Sequence, residues 1–198
     1  PHLNTNALMN NLSVQAFFDE SSFSITYVVI DSRNKIGAII DSVLGFEMET
    51  GRVDISPAEK IVSFVDKNEL EIEWILETHV HADHISASAY LKKHLGGKIA
   101  ISNGIERVRR FFEPMFSMDA TLSIENSQFD HLFSDNEDFY VGDLKGKVIH
   151  TPGHTPACAT YIIGNSIFSG DTILMPDTGT GRTDFPGGDA QTLYASAQ

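Results

Sequence analysis

At 198 residues, 41% hydrophobic and 21% charged, the chain has the length and balance of one globular domain with a real core. Its 27 acidic and 14 basic residues leave a net charge of −13, which repels phosphate backbones and argues against nucleic acid as a partner. No apolar run reaches the length of a membrane span and no basic-then-apolar leader opens the chain, so the expectation is a cytoplasmic protein without membrane association. The single cysteine, Cys158, excludes an internal disulfide framework and fits a reducing compartment.

In chain order, stretches rich in Val, Ile and Phe predict strands over residues 13–18, 23–31 and 36–41. A helix follows, with Ser56 as N-cap, Pro57 in the first turn, Glu59 three residues after the cap and Ile61, Val62 and Val65 as its apolar stripe. Residues 71–78 predict a strand, and 83–94 a helix that stops near Gly96-Gly97. A short strand over 98–102 and a helix over 104–112 come next, with Arg107, Arg109 and Arg110 as a solvated helix face. Residues 113–138 mix Met115, Phe116, Met118, Phe129 and Phe133 with acids and Asn. They read as a loop or partly helical excursion that covers a site or forms a subunit contact, as in a homodimer. Strands are predicted over 145–151, 158–163 and 166–169, and a helix over 190–197. That last helix has nothing downstream to pack its apolar face, so the chain reads as truncated within one domain, 1–198. Interleaved strands and helices favour a layered α/β architecture.

The chemistry concentrates in Thr78-His79-Val80-His81-Ala82-Asp83-His84. Metal sites need several imidazoles and carboxylates converging on one point, and three His and one Asp within six residues supply them densely. His79 and His81, two apart at a strand end, can project to one side, and a helix beginning at Asp83 would return Asp83 and His84 to the same place. Any one of these residues has a plain structural explanation; Asp83, for one, could cap its helix. The cluster as a whole does not. Two later features extend it: the turn Thr151-Pro152-Gly153-His154-Thr155-Pro156, and Gly170-Asp171-Thr172 at the end of a strand.

This order, His79-x-His81-x-Asp83-His84, then His154, then Asp171, resembles the metallo-β-lactamase superfamily from about Phe23 to Tyr194. The resemblance implies an αβ/βα sandwich with a metal site along one edge. The run Gly181-Arg182-Thr183-Asp184-Phe185-Pro186-Gly187-Gly188-Asp189 is similar to the persulfide dioxygenase branch, and glyoxalase II is its nearest relative there. What that branch implies is an Fe(II) ion held by His79, His154 and Asp171, with His81, Asp83 and His84 orienting ligands and substrate. Glutathione persulfide and O2 would give sulfite and thiol, and Arg182 would hold a carboxylate of the thiol carrier. Taken alone, Arg182 and Asp184 are an ordinary surface ion pair in a Gly-rich loop.

Two other readings remain open from the sequence. A zinc hydrolase of glyoxalase II type would place one Zn(II) on His79, His81 and His154 and a second on Asp83 and His84, bridged by Asp171, to attack a thioester. No His follows His154, which favours one ion. A non-catalytic metal-binding module is the reading from another class, and the intact donor set argues against it. Cys158 is expected to be a buried strand residue and His94 a structural residue near a helix end, with no role given to His2, His131 or His150.

Overall fold

A computed structural model describes residues 11–116 and 128–198. Its centre is a six-stranded sheet built from β1 (Leu12–Asp19), β2 (Ser24–Asp31), β3 (Ile36–Ile40), β6 (Glu71–Leu76), β8 (Lys98–Ser102) and β9 (His131–Phe133), paired in that order. The first three strands run antiparallel and the last three join β3 in parallel. A second sheet stacks β10 (Asp138–Val141), β11 (Leu144–His150), β12 (Ala159–Ile163) and β13 (Ser166–Phe168) as antiparallel neighbours. A third, small sheet pairs β5 (Arg52–Asp54), β4 (Val43–Glu47) and β7 (Ile85–Ser86) in that order.

The central strands are hydrophobic on both faces because both are covered. Val29, Ala38, Ile40, Leu76 and Ala100, with Phe133 of β9, point to the second sheet, where Val148, Tyr161 and Phe168 meet them. Their neighbours Val28, Ile39, Ile75 and Ile99 point the other way, onto Ala58, Ile61 and Val65 of α1 (Ser56–Asn68) and Leu91 of α2 (Ser88–Leu95). This alternation with period two gives the buried residues of β2, β3, β6 and β8 a partner layer on one face or the other. Every fully buried Val, Leu or Ile contributes roughly 1.5–3 kcal/mol to that packing. The architecture is the αβ/βα sandwich expected from the sequence.

Several predicted boundaries move. Ser56 is the first residue of α1 and not its cap; the carboxylate of Asp54 accepts from the Ser56 amide at 2.9 Å and its hydroxyl at 2.5 Å. The helix predicted from Asp83 begins only at Ser88, because Ile85 and Ser86 are taken by pairing with β4. Asp83 therefore caps nothing, and residues 79–84 form a loop. α3 (Ile105–Phe116) runs further than predicted, and the 113–138 excursion contains β9 and the start of β10. Met118, and the side chains of Met115 and Phe116, lie outside the described residues, as does His2. The last helix, α4 (Ala190–Ser196), does find a partner: Leu193 is buried against Gly153, upstream of it. A Cβ on Gly153 would collide with the Leu193 backbone, so only glycine permits this contact. The helix thus packs on the turn that carries His154.

Candidate metal centre

The site gathers at strand ends on one edge of the sandwich. Beyond β6 comes the loop with His79, His81, Asp83 and His84; beyond β11 the turn with His154; beyond β13 a single 3-10 turn, Gly170–Thr172, with Asp171. The two later turns are fastened together, since the Thr172 hydroxyl donates to Thr151 Oγ1 at 2.9 Å. His79 and His154 are both buried.

One ligand atom each from His79, His154 and Asp171 lies within 4.8 Å of the other two. His154 Nε2 and Asp171 Oδ2 are 3.4 Å apart. Two donors at about 2.1 Å from a common ion, set at tetrahedral angles, stand about 3.4 Å apart, so the spacing fits a cation between them. The tautomers fit too. The carbonyl of Arg182 can only accept, so His154 donates to it from Nδ1 at 2.6 Å and keeps a lone pair on Nε2. The Thr78 hydroxyl donates to Asp41 Oδ2 at 2.8 Å, so it accepts from His79 Nδ1 at 2.9 Å and leaves His79 Nε2 free. Burial, and then the neighbouring His81, lower the His79 pKa to about 3, which keeps that imidazole neutral and able to ligate. Burial raises Asp171 above the usual carboxylate range.

His81, Asp83 and His84 form a second three-donor group. The Ser24 hydroxyl donates to Asp83 Oδ2 at 2.9 Å, and His84 Nδ1 stands 3.1 Å from the same oxygen. His84 Nε2 is buried with no protein partner among the described residues. His81 is turned differently: its Nε2 faces Asp41 Oδ1 at 3.2 Å and Glu77 Oε2 at 3.3 Å. Burial disfavours its cation, but those two carboxylates outweigh burial and hold its pKa well above the usual value. The four rings form a contact chain, His154 to His79 at 5.0 Å, His79 to His81 at 4.1 Å and His81 to His84 at 4.2 Å. A cavity of about 190 Å³ opens beside them, lined in part by His79, His81, His84, Ile99 and Ile101.

Sequence reasoning missed Asp41 and Glu77. Asp41 ends the strand β3 in a left-handed conformation (φ 52°), buried, and its carboxylate accepts the Thr78 amide at 2.7 Å as well as the Thr78 hydroxyl and His81. A charged residue directly after Ile39-Ile40 at a strand end was the available signal. The Gly181-Arg182 segment reaches the site through its backbone. A Cβ on Gly181 would lie 2.8 Å from Asp171 Cβ and 3.0 Å from His154 Nδ1, so only glycine allows the approach. The Arg182 side chain is exposed, with Nε and Nη2 each 2.5 Å from the Asp184 carboxylate, and it lies 4.9 Å over the Phe185 ring. That is the surface ion pair of the plain reading. Cys158 is buried just ahead of β12, its thiol pushed up to about 11 by burial. His94 stacks on Tyr90 at 4.1 Å, His131 pairs with Glu137 at 2.6 Å, and His150 Nε2 lies 3.1 Å from the Phe133 carbonyl; all three stand apart from the site.

An αβ/βα sandwich with candidate metal-ligand residues at one edge defines a class of metal-dependent enzymes, and the chain belongs to the metallo-beta-lactamase superfamily, whose model matches residues 24–198. It is 47% identical to a beta-lactamase hydrolase-like protein of Xylella fastidiosa over 93% of this chain and 43% of that protein. Identity to Glyoxylase B2 of Dictyostelium discoideum is 44%, over 96% of this chain and 65% of that protein. To the mitochondrial persulfide dioxygenase ETHE1 of Homo sapiens it is 29%, over 92% and 60%. The crystal structure of ETHE1 from Myxococcus xanthus superposes with a TM-score of 0.72 at 28% identity, covering 93% of this chain and 67% of that one. The chain thus spans less than two thirds of the length of these curated relatives. Among the described residues no helix is long and apolar enough to cross a membrane.

Proposed function

We propose that the chain carries the catalytic centre of a non-haem Fe(II) persulfide dioxygenase, with glutathione persulfide, O2 and water as substrates and sulfite and thiol as products. The carrying observation is that His79, His154 and Asp171 converge as a two-histidine, one-carboxylate group while His81 turns to Asp41 and Glu77. That donor set suits an iron with positions left open, which when bound would bring O2 and a substrate sulfur to one centre. The chain's own residues do the rest. Thr78 and the Arg182 carbonyl fix the two imidazoles, and Asp83 and His84, held by Ser24, orient what enters from the cavity side. Arg182 is assigned to the carrier's carboxylate, through exchange with Asp184 or through Nη1. The likeness to human persulfide dioxygenase supports this reading.

A second reading is a zinc-dependent thioester hydrolase of glyoxalase II type. The His81, Asp83 and His84 group favours it, as does the hydrolase-like name of the Xylella relative. Metal analysis coupled to an oxygen electrode separates the two. About one iron per chain and O2 uptake with glutathione persulfide support the dioxygenase; two zincs, thioester hydrolysis and no O2 uptake overturn it.

A further inference from the structure

Glu77 is an ionisable residue spent deep in the fold, its side chain 5% exposed, and a buried carboxylate is costly unless its oxygens are used. Oε1 accepts the hydroxyls of Ser86, at 2.5 Å, and Ser88. Those residues lie in β7 and at the start of α2, so Oε1 ties the strand end before the loop to the chain that resumes after it. The Glu77 carbonyl is occupied as well, accepting the Tyr161 hydroxyl at 2.8 Å. A residue needed only as a tie would be complete at that point. Oε2 is left over, buried, and faces His81 Nε2 at 3.3 Å.

Asp41 approaches the same nitrogen at 3.2 Å. His81 Nε2 is hydrogen-bonded to Asp41 and in ion-pair contact with Glu77, and a ring nitrogen facing two carboxylates held on different elements has little freedom to rotate. With Nε2 so placed, Nδ1 turns to the other side, 4.0 Å from Asp83 Oδ1, and the ring sits tilted between those of His79 and His84. We propose that Glu77 is a positioning residue for the reaction above: opposite Asp41, it clamps His81 so that Nδ1 faces the space between Asp83 and His84, where substrate meets the centre. The inference rests on the one-metal reading, in which His81 stands beside the ion.

Glu77→Gln keeps the shape and leaves a carbonyl for the two serine hydroxyls. Its amide then meets the N–H of His81 with a second donor. Three measurements follow: imidazole ¹H–¹⁵N spectra of the zinc-loaded chain, iron content with melting temperature, and kcat and KM of the iron-loaded chain with glutathione persulfide and O2. The expected result is a shift of the His81 ring signals with those of His79 and His154 unmoved. Iron content stays unchanged, KM stays within about twofold, and kcat falls about ten- to a hundredfold, as for other groups that orient residues around a metal. A Ser86→Ala, Ser88→Ala double variant, which frees Glu77, moves the same signals less. Unmoved His81 signals overturn the proposal, and so does a lowered melting temperature with kcat intact, the mark of a mere tie. If the parent chain consumes no O2 with the persulfide, the dioxygenase reading falls, and the ring signals still decide whether Glu77 clamps His81.

Discussion

Nδ1 of His154 donates to the carbonyl oxygen of Arg182 at 2.6 Å, across a gap kept open by Gly181. The contact sets which nitrogen of His154 faces Asp171, and it belongs to the Arg182 backbone, not its side chain. Gly181→Ala should therefore cost about ten- to a hundredfold in metal affinity by displacing His154 or Asp171. Arg182→Ala, which keeps the carbonyl, should leave affinity unchanged. Chelator competition measures both, and equal losses in the two variants would contradict the assignment.

The Arg182 side chain carries a separate prediction. If it receives the carboxylate of the thiol carrier, Arg182→Ala raises KM several-fold while metal content holds, whereas a guanidinium serving only Asp184 leaves KM alone. Steady-state kinetics beside metal analysis separates these outcomes.

Asp41 is the hub beneath the loop, accepting from Thr78 twice and from His81. Removing one partner of a buried charged network leaves the others unpaired, so Asp41→Ala should lower stability by about 3 kcal/mol, read as a lower urea midpoint. A change below about 0.5 kcal/mol would mean that the loop is held without it.

Asp31 offers a pH test remote from the site. Burial opposes its ionisation, but the amides of Asp143, Arg33 and Asn34 and the Asn34 side chain outweigh burial and hold its pKa below the usual value. A carboxylate lowered in the folded state contributes stability that is complete above its unfolded pKa of about 3.9 and is lost as pH falls through the folded value. Asp31→Ala should thus be destabilised most near neutral pH, and its gap to the parent chain should narrow below about pH 4. Urea unfolding at several pH values measures it; a gap that widens on acidification has the wrong sign.

Cys158 should be inert in the native chain. Burial pushes its thiol up to about 11, and the Thr155 amide and hydroxyl both contact Sγ. A thiol-specific reagent at pH 8 should modify it only after unfolding in guanidinium; rapid native-state reaction would place it at an accessible surface.

The candidate donors were legible in the amino-acid order because ligand chemistry is a property of residue type. His79, His81, Asp83, His84, His154 and Asp171 stand out as a dense cluster, a rigid turn and a strand end, and the sandwich follows from alternating strands that must be covered on both faces. Local propensity misplaced the helix at Asp83, since Ile85 and Ser86 suit a helix or a strand and their pairing partner in β4 lies some forty residues earlier.

What the chain order could not decide is which donors share a point. Contacts made by packing orient the rings: a hydrogen bond with Asp41, just after β3, and an ion-pair contact with Glu77 meet Nε2 of His81, and the Arg182 backbone from a late loop meets Nδ1 of His154. Ring orientation depends on atoms brought close by packing, and sequence separation carries no record of them. Composition and spacing determined a metal-binding sandwich; only tertiary structure divided its donors into the group of His79, His154 and Asp171 and that of His81, Asp83 and His84.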